Sequence, residues 1–131
     1  MDEHSNASLI RRFYAAFAVE DYVPLVRAFL REGVVWHVAG GNPLAGDFHG
    51  PQAVVEAMLS YARRSGNSLR LETRSIFADD DHAVALHRTT GRRPGFEYSA
   101  HEIDVFHIAD GQIAEFWSFS EDQQATDAFW S

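Results

Sequence analysis

Four runs rich in β-branched and aromatic residues fill the second half of the chain, at 68–78, 82–91, 96–109 and 112–120. They are separated only by DDD at 79–81, RRPG at 92–95 and the dipeptide Asp110-Gly111. Breaks this short leave no room for a crossover helix, so neighbouring runs must pair antiparallel. Asp-Gly between two such runs is the strongest of the signals, because both residues tolerate the positive φ that a two-residue hairpin turn demands. A four-strand antiparallel meander is therefore predicted for residues 68–120.

The first half has helical spacing. From Ser5 or Asn6, either able to cap, apolar residues recur at Leu9, Phe13, Ala16 and Phe17, which predicts a helix over about 6–19. Asp21 caps a shorter segment with Pro24 in its first turn and a stripe of Leu25, Val26, Phe29 and Leu30, ending near Gly33. Val34 to Val38 is a short strand that runs into the irregular stretch AGGNPLAGDFHG. Pro51, the stripe Val54, Val55, Met58, Leu59 and Ala62, and Gly66 just beyond define a third helix. The tail from Asp122 to Trp130 is a last short helix. Helices first and a meander afterwards indicate an α+β layer, with helices packed on one face of a twisted sheet.

Composition narrows the partners. The 131 residues suit one domain spanning 1–131. The net charge of −8 argues against nucleic acid as a partner. With no cysteine, disulfides and thiolate chemistry are excluded. No run approaches the length of a membrane span and the first residues are acidic, so a soluble cytoplasmic protein is expected, with no membrane partner.

The order ααβ, the stretch WHVAGGNPLAGDFHG at 36–50 leading into a helix, IADGQIAEFW at 108–117 and EFWSFSEDQQATDAFW at 115–130 together resemble the SnoaL-like branch of the NTF2-like superfamily, over almost the whole chain. That resemblance implies a cone-shaped, curved antiparallel sheet with helices on its concave face, an apolar cavity, and commonly a homodimer through the sheet. The superfamily includes polyketide cyclases, ketosteroid isomerases, scytalone dehydratase, limonene epoxide hydrolase and domains of no known activity, so fold alone does not assign a reaction.

Candidate chemistry begins with histidine. His87, His101 and His107 fall on predicted strands, and imidazole titrates where general acid/base catalysis needs it. A regular two-residue turn pairs His107 with Ala114, Val105 with Phe116, Ile103 with Ser118 and His101 with Ser120. The face carrying His101, Ile103, Val105, His107, Phe116 and Ser118 is then expected inside, because the other carries Glu102, Asp104 and Glu115, and unpaired carboxylates are costly to bury. If the faces are reversed, Arg88 lies near Asp104 and Glu102, an arrangement resembling the superfamily's epoxide hydrolases. Trp36 and Phe116 are expected to line the pocket, with Tyr14, Phe17 and Met58 contributing from helices. Asp122 is either a second carboxyl group at the pocket edge or an N-cap. There is no phosphate cradle, no G-x-S-x-G elbow and no histidine pair at metal-ligand spacing, so neither cofactor nor metal is expected. The expected function is cofactor-independent cyclisation, isomerisation or dehydration of an apolar, ring-containing molecule, with a non-catalytic binding domain and an epoxide hydrolase as alternatives.

Overall fold

A computed structural model describes residues 3–131. Helices α1 (Ser5–Ala16) and α2 (Val23–Ala28) form the two expected N-terminal helices, both shorter than the sequence pattern suggests. Strand β1 (Leu30–Val38) starts earlier than its short β-branched core suggests, so Leu30 belongs to the sheet and α2 ends well before Gly33. A short strand β2 (Gly46–His49) lies within the glycine-rich stretch and folds back on β1, pairing Trp36 with Phe48. Helix α3 (Pro51–Arg64) follows, then β3 (Arg70–Ala78), β4 (His82–Arg93), β5 (Phe96–Ala109), β6 (Gln112–Ser120) and α4 (Gln123–Trp130).

The meander forms as expected, and its last strand is extended by β1, which joins β6 in parallel to give the order β2-β1-β6-β5-β4-β3. Asp110 and Gly111 take φ of 52° and 73°, the left-handed turn that their dipeptide signals. The helices cover one face of this curved sheet. Ile10, Phe13, Val26, Val54, Phe106, Ile113 and Phe116, all essentially buried, form the core between the layers. The outer face carries Val84, Val105, Trp117, Leu86, Ile103 and Phe119 in cross-strand register, with Leu86 and Phe119 exposed. Among the described residues, no helix is long and apolar enough to cross a membrane.

The expected face assignment of the β5–β6 hairpin is overturned. Ala109 pairs with Gln112, but His107 pairs with Glu115 and Ile108 with Ile113, so Ala114 is an extra residue in β6, a β-bulge. Beyond it the register is shifted by one. Phe106 lies opposite Phe116, Asp104 opposite Ser118 and Glu102 opposite Ser120. Phe116 and Ser118 therefore point inward together with Glu102, Asp104 and Phe106, while His101, Ile103, Val105 and His107 point outward.

A helix-lidded cavity with two carboxyl groups

Between the concave face and the helices lies a cavity of about 780 Å³, within the range of small-molecule sites. Its wall is largely aromatic. Trp36 stacks on Phe116 at 5.3 Å, and Tyr14, Phe17, Tyr61 and Trp130 approach from the helices. The roof is the loop after β1, held to α4 by Asp127, whose carboxylate accepts from the Gly41 N–H at 3.0 Å and the Asn42 amide at 2.8 Å.

Two carboxyl groups enter this apolar space from alternate residues of β5. Three donors converge on Asp104, a side chain only 13% exposed. The Tyr14 hydroxyl donates to Oδ2 at 2.5 Å, His87 Nε2 lies 2.9 Å from the same oxygen, and the Ser118 hydroxyl donates to Oδ1 at 2.6 Å. The direction of the serine bond is forced. Trp36 Nε1, which can only donate, lies 2.9 Å from Ser118 Oγ, so the serine proton is left for Asp104. Burial, with Asp104 beside it, pushes the Tyr14 hydroxyl well above its usual range, so it remains a donor. His87 is 1% exposed, and its Nδ1 has no hydrogen-bond partner, an environment that suits a bare lone pair better than a buried N–H.

Glu102 has a second set of partners. Thr89 donates to Oε1 at 2.8 Å and Tyr98 to Oε2 at 2.6 Å, with Tyr98 also 2.7 Å from Thr126 of α4. Burial raises its carboxyl above the ordinary value more than these bonds lower it. A carboxyl raised in the folded state favours folding most below its unfolded pKa, about 4.3, and that contribution is lost as pH rises through the folded value. Thermal unfolding of Glu102→Gln and wild type between pH 4 and 8 tests this. The Gln variant is expected to gain on wild type as pH rises; parallel profiles would show that burial does not govern Glu102.

The residues singled out from sequence fall into two groups. Trp36, Tyr14, Phe17, Met58 and Phe116 line the cavity, and His87 lies directly beneath Asp104, reaching across the small Ala85 that pairs with it. The others lie elsewhere. His101 is on the outer face, bonded to Glu121 at 3.1 Å; His107 lies there with its ring tilted against His82 at 5.7 Å; both point away because Glu102, Asp104 and Phe106 take the inner face of β5. Asp122 caps α4 by accepting the Ala125 N–H at 3.0 Å. Arg88 alternates with His87 and so faces outward, paired with His101, which removes the arginine from the epoxide hydrolase arrangement with Asp104 and Glu102. The reversed-face reading correctly places the two carboxyl groups inside, but a histidine rather than an arginine partners Asp104, and Glu102 is held by Thr89 and Tyr98.

A curved sheet with a helix-lidded, aromatic, carboxyl-bearing cavity defines a pocket protein of the NTF2-like kind. The profile of the SnoaL-like domain matches residues 10–116, and the chain belongs to that family. It is 28% identical over 132 residues to an uncharacterized protein of Mycobacterium tuberculosis, with all of both chains covered. Its fold is similar to that of Bal32a from a soil-derived mobile gene cassette, at 27% identity, 97% of each chain and a TM-score of 0.91. It is also similar to TerC co-crystallised with polyporic acid, at 17% identity, 98% and 100% of the two chains and a TM-score of 0.82.

Proposed function

We propose that the chain is an enzyme that moves a proton on an apolar, ring-containing small molecule, in an isomerisation, cyclisation or dehydration. The observation that carries this reading is the pair Asp104 and Glu102, set two residues apart on one strand face inside an aromatic cavity, with unlike surroundings. A strand rise of about 3.4 Å per residue puts their backbones about 7 Å apart, on the scale of one ring of a ligand lying between them. Such pairs of carboxyl groups in unlike environments are how one site supplies both an acid and a base.

Asp104 is the base. Its oxygens are oriented by Tyr14, Ser118 and His87, which leaves acceptor capacity toward the cavity. It takes a proton from a carbon or hydroxyl of the ligand and returns it at a second position. Glu102, raised by burial, is the acid that hydrogen-bonds to the oxygen on which negative charge develops. His87 is a positioning residue, holding Asp104 from below. TerC's co-crystallisation with polyporic acid supports a small-molecule occupant.

The test is exchange of α-protons for deuterium in a panel of cyclic ketones, followed by NMR. Asp104→Asn is expected to slow exchange by roughly 10²- to 10⁴-fold while ligand affinity changes little. Ring-bearing ligands that bind without any exchange, or exchange indifferent to Asp104, would instead establish a non-catalytic binding domain.

A further inference from the structure

The end of β4 and the Pro94-Gly95 turn after it take no part in the cavity. Arg92 and Arg93, the last residues of β4, lie beside Arg63 and Arg64 in the last turn of α3, and with Ser65, Gly66 and Pro94 they line a separate, open concavity of about 410 Å³. Ser68 holds the two segments together: its Oγ accepts the Arg92 N–H at 2.7 Å and lies 2.6 Å from the Ser65 carbonyl. Four of the chain's 11 basic residues thus gather at one place in a chain with 19 acidic ones.

Structural roles account for part of this cluster. Cations near a helix C-terminus offset its partial negative charge, which suits Arg63 and Arg64. Arg93 donates to the carbonyls of Phe129 and Ser131 at the end of α4. Arg63 donates to Ser60 Oγ at 3.1 Å. Among the described residues, however, the side chains of Arg64 and Arg92 make no hydrogen bond. Among the described residues, Arg63, Arg64 and Arg92 lie in no ion pair, even though Glu97 faces Arg92 across the hairpin. Like charges gathered around a concavity raise the local positive potential, which draws a small anion most strongly at low salt.

We propose that this concavity binds a compact multivalent oxyanion, of the diphosphate or phosphate-ester class. Guanidinium forks match phosphate oxygens two at a time, and arginines approaching from two sides can grip adjacent phosphoryl groups. The net charge of −8 opposes an extended polyanion, whose length would run over the acidic surface, but a small anion fits within the cluster.

Inorganic pyrophosphate is the probe, and isothermal titration of the whole chain at low ionic strength is the measurement. Saturable one-to-one binding is expected, weakening as salt is added. Arg64→Gln and Arg92→Gln are each expected to weaken it about tenfold, whereas Arg74→Gln, on β3 outside the concavity, leaves it unchanged. As both target side chains lack protein partners, the variants are expected to melt like wild type. A rise in the wild-type melting temperature with pyrophosphate gives a readout independent of any variant. The assignment is overturned by absence of saturable binding, by an Arg74→Gln loss equal to the others, or by a single-stranded oligonucleotide binding more tightly than pyrophosphate.

Discussion

Replacing Asp104 by alanine is expected to lower the unfolding free energy by about 3 kcal/mol, read from a urea titration at neutral pH. Three donors lose their acceptor at once: the Tyr14 hydroxyl, the Ser118 hydroxyl and His87 Nε2. Each buried donor left unpaired costs about 1–3 kcal/mol. Ser118 cannot turn its proton toward Trp36, because the indole nitrogen offers only a hydrogen. The cavity side of the cluster is open to solvent, which places the total toward the lower end of the sum. Asparagine, which keeps one accepting oxygen, is expected to lose less, so the order wild type, Asn, Ala is the informative outcome. An alanine variant as stable as wild type would mean that the three donors find other partners, and the account of Asp104 as an anchored base would fall with it.

Phe106→Ala is expected to cost about 3–5 kcal/mol, the usual toll of removing a buried phenyl ring. Phe106 is fully buried, stacked on Phe116 at 5.4 Å and edge-on to Phe13 at 6.0 Å and Tyr14 at 6.2 Å. It sits one alternation along β5 from Asp104, so the void would open beneath the carboxylate cluster. The urea midpoint should fall with the slope unchanged, since the surface exposed on unfolding is nearly the same. A loss below about 1 kcal/mol would show that the Phe13 and Phe116 rings collapse into the space.

The elements of this fold were legible where side-chain chemistry punctuates them. Pro51 and Gly66 bound α3, and Asp110-Gly111 set the ends of β5 and β6 to the residue. The inward face was not legible, because the extra residue in β6 is Ala114, which carries none of the glycine signal that flags some bulges. A parity argument run through an unseen bulge joins the wrong faces of the two strands: Phe116 and Ser118 were expected inside and are, but with Glu102, Asp104 and Phe106 beside them rather than His101, Ile103, Val105 and His107. The rule against burying carboxylates compounded the error: it holds for unpaired groups, and both Glu102 and Asp104 are partnered. Tyr14 could be assigned to the pocket from its place beside the apolar stripe of α1, but its bond to Asp104 spans 90 positions and depends on how that helix lies across the sheet. His87 stood out as a histidine on a predicted strand, and the small Ala85, which pairs with Asp104, leaves the space that its ring crosses to reach the carboxylate.

Ala114 also divides β6 into two reading frames. Between the turn and the bulge, the strand is phased by Ile113 in the core; after it, by Phe116 and Ser118 against the cavity. Deleting Ala114 would place Ile113, Phe116 and Ser118 in a single alternation, still opposite Ile108, Phe106 and Asp104, so the hairpin would keep its pairs and lose only the local bend and twist that the extra residue adds. A homologue lacking the extra residue should therefore keep a hydroxyl opposite its aspartate and differ in the curvature of the sheet beside the cavity, whereas a deletion between Glu115 and Ser118 would take the serine off the aspartate.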